Sequence, residues 1–474
     1  MRNTPLARFA LVVMTFASDT PQRAASPPRS YYVAPAPTGS PLANGSERHP
    51  WDLATALAGG PTRGTRVQPG DTIWVRGGTY RGAFRSTVAG SDGAPVVIRQ
   101  FPGERAVMDG AGSTSSTLYV TGAHSVFWGL ELTNSDPARS TSSADVNLRP
   151  NAVVNDASYT KYVNLIVHDG GVGFYNEPKS VDVEIAGCIM YNNGWQGPDR
   201  GHAHALYLKS FVGPLMARDN ILFNQYGYGV HAYTNSKTGK LMNISIEANI
   251  AFNNGALATQ RAAASNILLG GADYAGGDVV RDNVAYYSPT LTGAGANMMI
   301  GYRTLRNGDV IVENNFLVGG SPVLDFGFWS AARVSNNMLL GGGVRGAVVR
   351  RDAAAVGQIW RDNTERAAPS ATRVIVHPNL YEQGRAHVVV FNWGNDTTAQ
   401  VDVSGVLAAG DRYDVRNVQD LFGAPIASGT AAGTTISIPL RGVEPPIPVG
   451  LTASRAPKTG PAFDVFLITR QLQH

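Results

Sequence analysis

The 474-residue sequence contains few charged residues, and the shortage excludes one broad class of function. Charged residues make up 16% of the chain, and lysine and arginine exceed aspartate and glutamate by 39 to 35. A surplus this small, with no basic run interleaved with aromatics, is not that of a nucleic-acid-binding protein. It suits an anionic polymer as substrate, although ordinary surface charge explains it equally well.

Cysteine is almost absent. The one cysteine, Cys188, excludes an internal disulfide and lies in the apolar run Cys188-Ile189-Met190. Free cysteines are among the most buried residues, so we expect a structural thiol. A catalytic thiol needs an activating neighbour, and none is close in the sequence.

Long hydrophobic runs are missing too. Arg2 and Arg8 precede the short apolar run 9–18, which has the length of a signal-peptide core and is too short to cross a bilayer. We therefore predict that residues 1–30 are a bacterial-type export signal and linker. No other segment is expected to span a membrane, and the protein is expected to be secreted or periplasmic.

Glycine and proline are abundant, at 54 and 28 residues, and 43% of the chain is hydrophobic, which favours an all-β, turn-rich protein. A short element recurs at variable spacing, with apolar residues after an asparagine that suits a tight left-handed turn. We expect these asparagines to stack and the residues just after them to face the interior. The copies begin at Asn164, Gly187, Asn220, Asn249, Asn283, Asn315 and Asn337, with Asn363 as a degenerate last copy.

The start of the repeats resembles a known family. An amphipathic helix is predicted over 51–59, capped near His49-Pro50, and is followed by QPGDTIWVRGGTYRG and APVVIRQFPGERAVMDG. These motifs are similar to the opening segment of secreted pectate-lyase-like proteins. The resemblance implies a right-handed parallel β-helix over residues 31–370, with an N-terminal helical cap.

Residues 371–474 follow a different pattern, alternating like half-exposed strands. They resemble the small β-sandwich appended to many secreted carbohydrate-active enzymes. Our interpretation is a cap over the exposed edge of the last coil, with glycan binding as the alternative.

The second strand of each coil can be aligned by its inward apolar residues. These are Phe174, Leu206, Val230, Ile267, Met298 and Leu324. Strand alternation then predicts two outward columns. The first contains Tyr175, Tyr207, His231, Leu268, Met299 and Asp325, and the second contains Glu177, Lys209, Tyr233, Gly270, Gly301 and Gly327.

These columns predict a polar, aromatic surface on the middle coils. Its expected substrate-binding residues are Arg200, Tyr175, Glu177, Trp195, Arg303 and Tyr302, and its expected catalytic residues are Lys209, His231, Tyr207, Tyr233 and His204. Tyrosine rings stack on pyranose faces, and arginine or lysine neutralises uronate carboxylates. The loop around Trp195 is expected to form one wall.

The first functional hypothesis is β-elimination on an acidic polysaccharide, which needs a neutralised carboxylate, a base for the C5 proton and a proton for the leaving oxygen. Lys209 or His231 is the candidate base and Tyr207 or Tyr233 the candidate acid. Arg200 or Arg303 would hold the carboxylate.

The segment Ala205-Leu206-Tyr207-Leu208-Lys209-Ser210, with Val230-His231 one coil later, resembles β-helical lyases of the chondroitinase B and alginate lyase type. Val230 stands where that family has an arginine. A calcium ion is a candidate cofactor, although no tight cluster of acidic residues marks a site.

Two alternatives remain open. Glycoside hydrolysis needs two carboxyl groups, for which Glu177, Asp199 and Asp325 are available, and His204 resembles the histidine of polygalacturonases. The aspartate motifs of that family are missing. A non-catalytic glycan-binding protein is the third hypothesis. In each case the expected partner is a polysaccharide, with no nucleic acid, and a monomer is expected.

Overall fold

The structure of the chain is a computed structural model. It describes residues 27–64, 66–143, 146–235, 239–259, 264–291, 293–302, 307–341, 349–350, 360–367, 369–453 and 455–471. The predicted export signal and Arg303 lie outside these described residues.

Three long parallel sheets contain most of the described strands. Sheet 1 contains the strands Ser30–Val33, Thr72–Val75, Val96–Gln100, Ser125–Trp128, Thr160–Val163, Val183–Ala186, Leu215–Arg218, Ile244–Glu247, Asp278–Arg281, Asn307–Glu313, Trp329–Ser335 and Trp360–Arg361. Sheet 2 contains Phe84–Ser86, Leu118–Val120, Val153–Asn155, Phe174–Asn176, Leu206–Leu208, Val230–Ala232, Ile267–Leu269, Met298–Ile300, Leu324–Phe326 and Val349–Arg350. Sheet 3 contains Gly78–Arg81, Ala106–Asp109, Glu131–Thr133, Ile166–His168, Ile189–Tyr191, Ile221–Phe223, Ile250–Phe252, Val284–Tyr286, Phe316–Val318, Met338–Leu340 and Thr364–Arg366.

The chain visits the three sheets in a repeating order. From Val183–Ala186 in sheet 1 it passes to Ile189–Tyr191 in sheet 3 and Leu206–Leu208 in sheet 2, and returns to sheet 1 at Leu215–Arg218. The two sheet 1 strands pair in parallel, with Val183 beside Leu215. This is one turn of a parallel β-helix, and the fold class predicted from the sequence is confirmed.

A short helix covers the first coil, as predicted, but it begins later than expected. The helix spans Leu53–Leu57, and its N-cap is Asp52, whose carboxylate accepts a hydrogen bond from the Thr55 amide at 2.8 Å. The cap predicted near His49-Pro50 was wrong because an aspartate side chain satisfies the free helix amides better. Leu53 and Leu57 bury their side chains in the β-helix core.

The asparagine ladder forms along the later coils. From Asn220 to Asn363, each side-chain amide donates to the side-chain oxygen of the next asparagine at 2.8–3.1 Å. Each such oxygen also accepts a backbone N–H from the coil before it, as Asn283 does from Asn249 at 2.9 Å. The amides therefore tie every coil to its neighbours.

The sequence prediction placed the ladder correctly but mistook its turn residue. The left-handed residue precedes the ladder asparagine, as at Asp219 (φ 52°) before Asn220. Strand pairing aligns Asn164 and Gly187 with Asp219, so the predicted alignment of those two copies was off by one residue. Asparagine is favourable both at the left-handed turn position and at the ladder position that follows it. Residue type alone therefore did not distinguish the two positions.

The expected orientation of the apolar residues holds at the two shifted copies but fails along the ladder. Leu222 faces the β-helix interior, whereas Ile221, directly after Asn220, is buried on the outer face of sheet 3. The prediction that the residue just after the asparagine faces inward is therefore confirmed at Leu165, after Asn164, and wrong at Ile221. From strand Ile189–Tyr191 to strand Met338–Leu340, sheet 3 is apolar on both faces.

The C-terminal region is a small antiparallel sandwich. One sheet contains Arg373–Pro378, Arg385–Phe391, Phe463–Arg470, Arg412–Asn417 and Ala427–Thr430, and the other contains Thr398–Asp402 and Thr435–Pro439. A short 3₁₀ helix spans Val418–Asp420. Residues such as Val388 and Val401 fill the core between the two sheets.

The sandwich packs against the side of the β-helix, which corrects its predicted position over the last coil. Alternate residues of its larger sheet, including Val389 and Phe463, cover the apolar outer face of sheet 3. The Phe463 ring lies 4.1 Å from that of Tyr286 and 5.3 Å from that of Phe252. These strands of sheet 3 need the cover because their outer face is apolar as well as their inner face.

Cys188 is buried, as predicted. It occupies the ladder position one coil before Asn220, whose side-chain oxygen accepts a hydrogen bond from the Cys188 amide at 2.9 Å. Burial raises the pKa of its thiol to about 12, so it is a structural residue.

A buried ionic network supports the junction of the two domains. Burial alone lowers the pKa of His168, but hydrogen bonds to Asp169 and Glu131 at 2.8 and 3.0 Å outweigh it and raise the pKa to about 9. Asp169 also accepts a hydrogen bond from the Val449 amide of the C-terminal region at 3.1 Å. Arg139 pairs with the same carboxylate.

Replacement of one ladder asparagine should destabilise the whole solenoid. Asn283→Ala leaves the Asn249 amide without its acceptor and removes a bond to Asn315, so we expect the free energy of unfolding to fall by about 2–5 kcal/mol. Chemical denaturation measures this change. The exposed Asn44→Ala variant is the control and should lose less than about 1 kcal/mol; equal losses would contradict the ladder's role.

Stability should decrease with rising pH through the titration of His168. Because the folded pKa of about 9 lies above the ordinary 6.5, its contribution is complete below pH 6.5 and is lost as the pH rises through 9. The difference in unfolding free energy between the wild type and His168→Gln should therefore shrink over this range. A constant difference would count against a protonated His168.

Candidate functional site

The outward column predicted on sheet 2 is present. Strand pairing places Tyr175 beside Tyr207 and Tyr207 beside His231. The column continues through Leu268 and Met299 to Asp325. The chemistry-bearing residues of the column are thus concentrated on its middle coils.

Aromatic rings from this column and the next form one continuous cluster. Tyr207 contacts Tyr175 edge-on at 5.3 Å and lies 4.9 Å from the His231 ring. His231 stacks on Tyr233 at 4.9 Å, and Tyr233 contacts Tyr302 at 5.4 Å. We name the surface formed by Tyr175, His204, Tyr207, Lys209, Tyr228, His231 and Tyr233 the sheet 2 patch.

His204 and Tyr228 complete the patch from the turn that precedes the strands. The His204 ring lies 4.2 Å from that of His231, and its Nδ1 accepts a hydrogen bond from the Tyr228 amide at 3.1 Å. Tyr228 stacks on His231 at 4.5 Å. The sequence prediction missed Tyr228, although the aromatic run Tyr226-Gly227-Tyr228 just before the strand was a signal.

The predicted wall is a small antiparallel hairpin, Trp195–Gln196 with Gly201–His202. Trp195 stacks on His202 at 5.5 Å and is buried near Tyr175 and Tyr207. It is therefore a packing anchor in this structure and presents little ring surface to solvent. Asp199 accepts a hydrogen bond from His202 at 2.8 Å and lies 3.3 Å from Arg200.

Burial keeps both histidines of the patch neutral. It lowers the pKa of His204 to about 3, and the positive charges of Arg200 and His202 act in the same direction. Burial, together with His204, Arg200 and Lys209, holds the pKa of His231 well below its ordinary value. The His231 Nδ1 is buried and has no hydrogen-bond partner among the described residues, so its bonding capacity is available.

Lys209 and Tyr207 are shifted in opposite directions. The Lys209 ammonium lies 4.7 Å from the Tyr207 ring centre, and burial lowers its pKa although the charge of Glu177 opposes the shift. Burial raises the pKa of Tyr207 to about 12, and Tyr233 adds to this effect. The Lys209 amine, which loses its proton more readily than an ordinary lysine, thus lies beside the Tyr207 phenol, which holds its proton more firmly.

Other predicted site residues lie apart from this pair. Asp325 is five strands from the strand of Tyr175, a separation of about 24 Å at the usual strand spacing. Val230 is fully buried inside the β-helix, so position 230 points away from the patch. Arg303 lies outside the described residues.

The patch does not offer the ligands of a metal site. Among the described residues, no group of three or more histidine, cysteine, aspartate and glutamate side chains is arranged to hold a metal ion. Glu177 is the carboxylate that acts on Lys209, whereas Asp199 is engaged by His202. The described residues of the patch thus show no cluster of carboxylates for the candidate calcium ion, which stays a prediction.

No helix of the described residues is long and apolar enough to cross a membrane.

No protein-family profile matches the chain, and no curated protein matches it. Solved structures similar to it include pectate lyase Pel9A (18% identity, TM-score 0.47, 73% of this chain and 80% of that one) and a rhamnogalacturonan lyase (15%, 0.46, 72% and 87%). The GH136 lacto-N-biosidase from Eubacterium ramulus is another (12%, 0.48, 72% and 68%). The parallel β-helix itself is established by the strand register of this chain.

Proposed function

We propose that the protein is a secreted polysaccharide lyase that cleaves an acidic, uronate-containing polymer by β-elimination on the sheet 2 patch. The observation that carries the proposal is the packing of Lys209 against Tyr207, with their pKa values displaced in opposite directions. A base and an acid whose environments separate their pKa values are what proton abstraction and leaving-group protonation require.

Lys209 is the proposed base and Tyr207 the proposed acid. The neutral amine of Lys209 takes the proton from C5, and the electron pair of the broken C5–H bond forms the C4–C5 double bond. The C4–O bond breaks, and the Tyr207 hydroxyl donates its proton to the leaving oxygen. Exchange with water then restores both groups.

Arg200 is the proposed partner of the uronate carboxylate. Its charge acts on Tyr207, His204 and His231, so it lies close enough to influence the patch. Neutralising the carboxylate makes the C5 proton more acidic, and arginine matches a carboxylate geometrically. Arg200 is partly exposed and linked only loosely to Asp199, at 3.3 Å, which leaves it free to turn towards a substrate.

Glycoside hydrolysis is less well supported by the geometry. Burial raises the pKa of Glu177, as an acid catalyst needs, but Asp325 lies roughly 24 Å away by strand count, whereas the carboxyl pair of a hydrolase lies about 5–9.5 Å apart. The hydrogen bond from His202 lowers the pKa of exposed Asp199 and engages it in the hairpin.

Incubation with alginate, pectate and glycosaminoglycans tests the proposal. A lyase produces ultraviolet absorbance from the unsaturated uronate, and Lys209→Ala should lower kcat/KM by at least about a hundredfold. The exposed Lys179→Ala variant is the matched control and should keep wild-type activity. New reducing ends without absorbance would indicate hydrolysis, and polymer retention without either signal would indicate a binding protein.

The pH profile distinguishes Lys209 from His231 as the base. If Lys209 is the base, kcat/KM should rise through the alkaline range to a plateau that begins below the ordinary lysine pKa of 10.5, because burial lowers its pKa. If His231 is the base, the rate should already be level at pH 6.5, since the pKa of His231 lies well below that value. A Tyr207→Phe variant should lose turnover under either assignment; full activity would remove Tyr207 as the acid.

A further inference from the structure

A second cleft lies between the early coils of the β-helix and the C-terminal sandwich. It encloses about 1070 Å³ and is lined on one side by Arg99, Arg105 and Trp128, and on the other by Arg385, Arg412 and Arg470. Its volume is comparable with that of small-molecule binding sites, roughly 300–1,000 Å³. The sheet 2 patch shares no residue with it.

Positive charge exceeds negative charge on the cleft walls. The five arginines face three carboxylates, those of Glu131, Glu382 and Asp414. Glu131 is already bound by Arg105, through two hydrogen bonds of 2.5 and 2.7 Å. Asp414 accepts hydrogen bonds from Ser428 and Gln471 instead of an arginine.

Glu382 accepts a hydrogen bond from the Asn164 side-chain amide at 2.9 Å, and its charge acts on Arg99 and Arg385 without direct contact. Among the described residues, no carboxylate oxygen lies within 4.0 Å of a guanidinium nitrogen of Arg99, Arg385 or Arg412, so these three arginines have no contacting ion-pair partner. Arg385 has two buried nitrogens, Nε and Nη2, without a hydrogen-bond acceptor. The Nε of Arg99 is also buried and has no acceptor. Unsatisfied buried donors of a charged group are costly, and an anion between them would remove that cost.

The cleft also has the surface of a saccharide site. Trp128 and Phe422 contribute aromatic rings to its walls, and each packs against a guanidinium, at 4.4 Å from Arg99 and 3.7 Å from Arg105. Tyr381 meets Trp128 edge-on at 6.0 Å. Such rings offer apolar faces for sugar C–H groups, while the unpaired arginines offer paired donors for a planar carboxylate.

We propose that this cleft binds a carboxylated oligosaccharide, with Arg385 and Arg99 taking one carboxylate and Arg412 receiving a second at the cleft mouth. The inference goes beyond the proposed function, since these residues belong to other strands and to the C-terminal sandwich, and it does not need the sheet 2 patch to be catalytic. In this arrangement the sandwich supplies half of a binding site as well as covering sheet 3.

Calorimetric titration of the full chain tests the proposal. A Lys209→Ala background prevents turnover, and the probes are tetrasaccharides of galacturonate and of mannuronate, with galactotetraose as the neutral counterpart. We expect at least one uronate tetrasaccharide to bind and galactotetraose to bind at least tenfold more weakly. Arg385→Gln and Arg412→Gln should each weaken uronate binding about tenfold, through lost charge-assisted hydrogen bonds.

The exposed Arg48→Gln variant is the charge-matched control and should change the affinity by less than about twofold. Exposed Arg412 provides the test that does not perturb folding, should Arg385→Gln fail to fold. Unchanged affinity in Arg412→Gln and in any folded Arg385→Gln, equal binding of galactotetraose, or no uronate binding would each overturn the proposal. Acetate or inorganic phosphate binding as tightly as the tetrasaccharide would overturn it too, as the mark of a simple anion site.

The two proposals fail separately. A chain that releases unsaturated product from a polymer, yet binds tetrasaccharide independently of Arg385 and Arg412, keeps the proposed function and loses the second site. A chain that gives no product but loses uronate binding in the cleft variants keeps the second site alone.

Discussion

The hydrogen-bonded ladder of buried asparagine amides is the constraint on which the rest of the structure depends. Each ladder oxygen accepts both the side-chain amide and the backbone amide of the preceding coil, as Asn249 does from Asn220, so a slipped coil would leave several buried groups unsatisfied. The turn before each ladder residue needs a left-handed conformation, which glycine, asparagine and aspartate adopt at low cost. Register is thereby held from coil to coil, and the outward columns of sheet 2 follow from it.

The regular stacking has a chemical consequence on sheet 2. Side chains from neighbouring coils lie close enough for Tyr207, His231 and Tyr228 to exclude water from one another. In that environment charged forms are disfavoured, which keeps the histidines neutral, lowers the pKa of Lys209 and raises that of Tyr207. The patch thus combines proton donors and acceptors without a cluster of carboxylates.

The C-terminal sandwich depends on strand alternation in a different way. Successive residues of its strand Arg385–Phe391 face opposite sides: Val388 fills the sandwich core and Val389 packs on sheet 3. The strand that buries both faces also begins at Arg385, which leads into the arginine-lined cleft. Apolar packing therefore fixes the position of the polar groups at the edge of the same sheet.

The sequence by itself determined the solenoid, the ladder from Asn220 onwards and the outward column that contains Tyr207 and His231, because these follow from local periodicity and strand alternation. Only the tertiary structure decided how Tyr228 joins the patch, how Trp195 becomes buried and where the sandwich packs. Those outcomes depend on loops and surfaces that are distant in sequence. The one-residue misalignment of the Asn164 copy was not apparent from the sequence, because asparagine occurs at both the turn position and the ladder position. The presence of both Arg99 and Arg385 on the walls of one cleft was likewise decided by the tertiary structure, since no local pattern connects such distant residues.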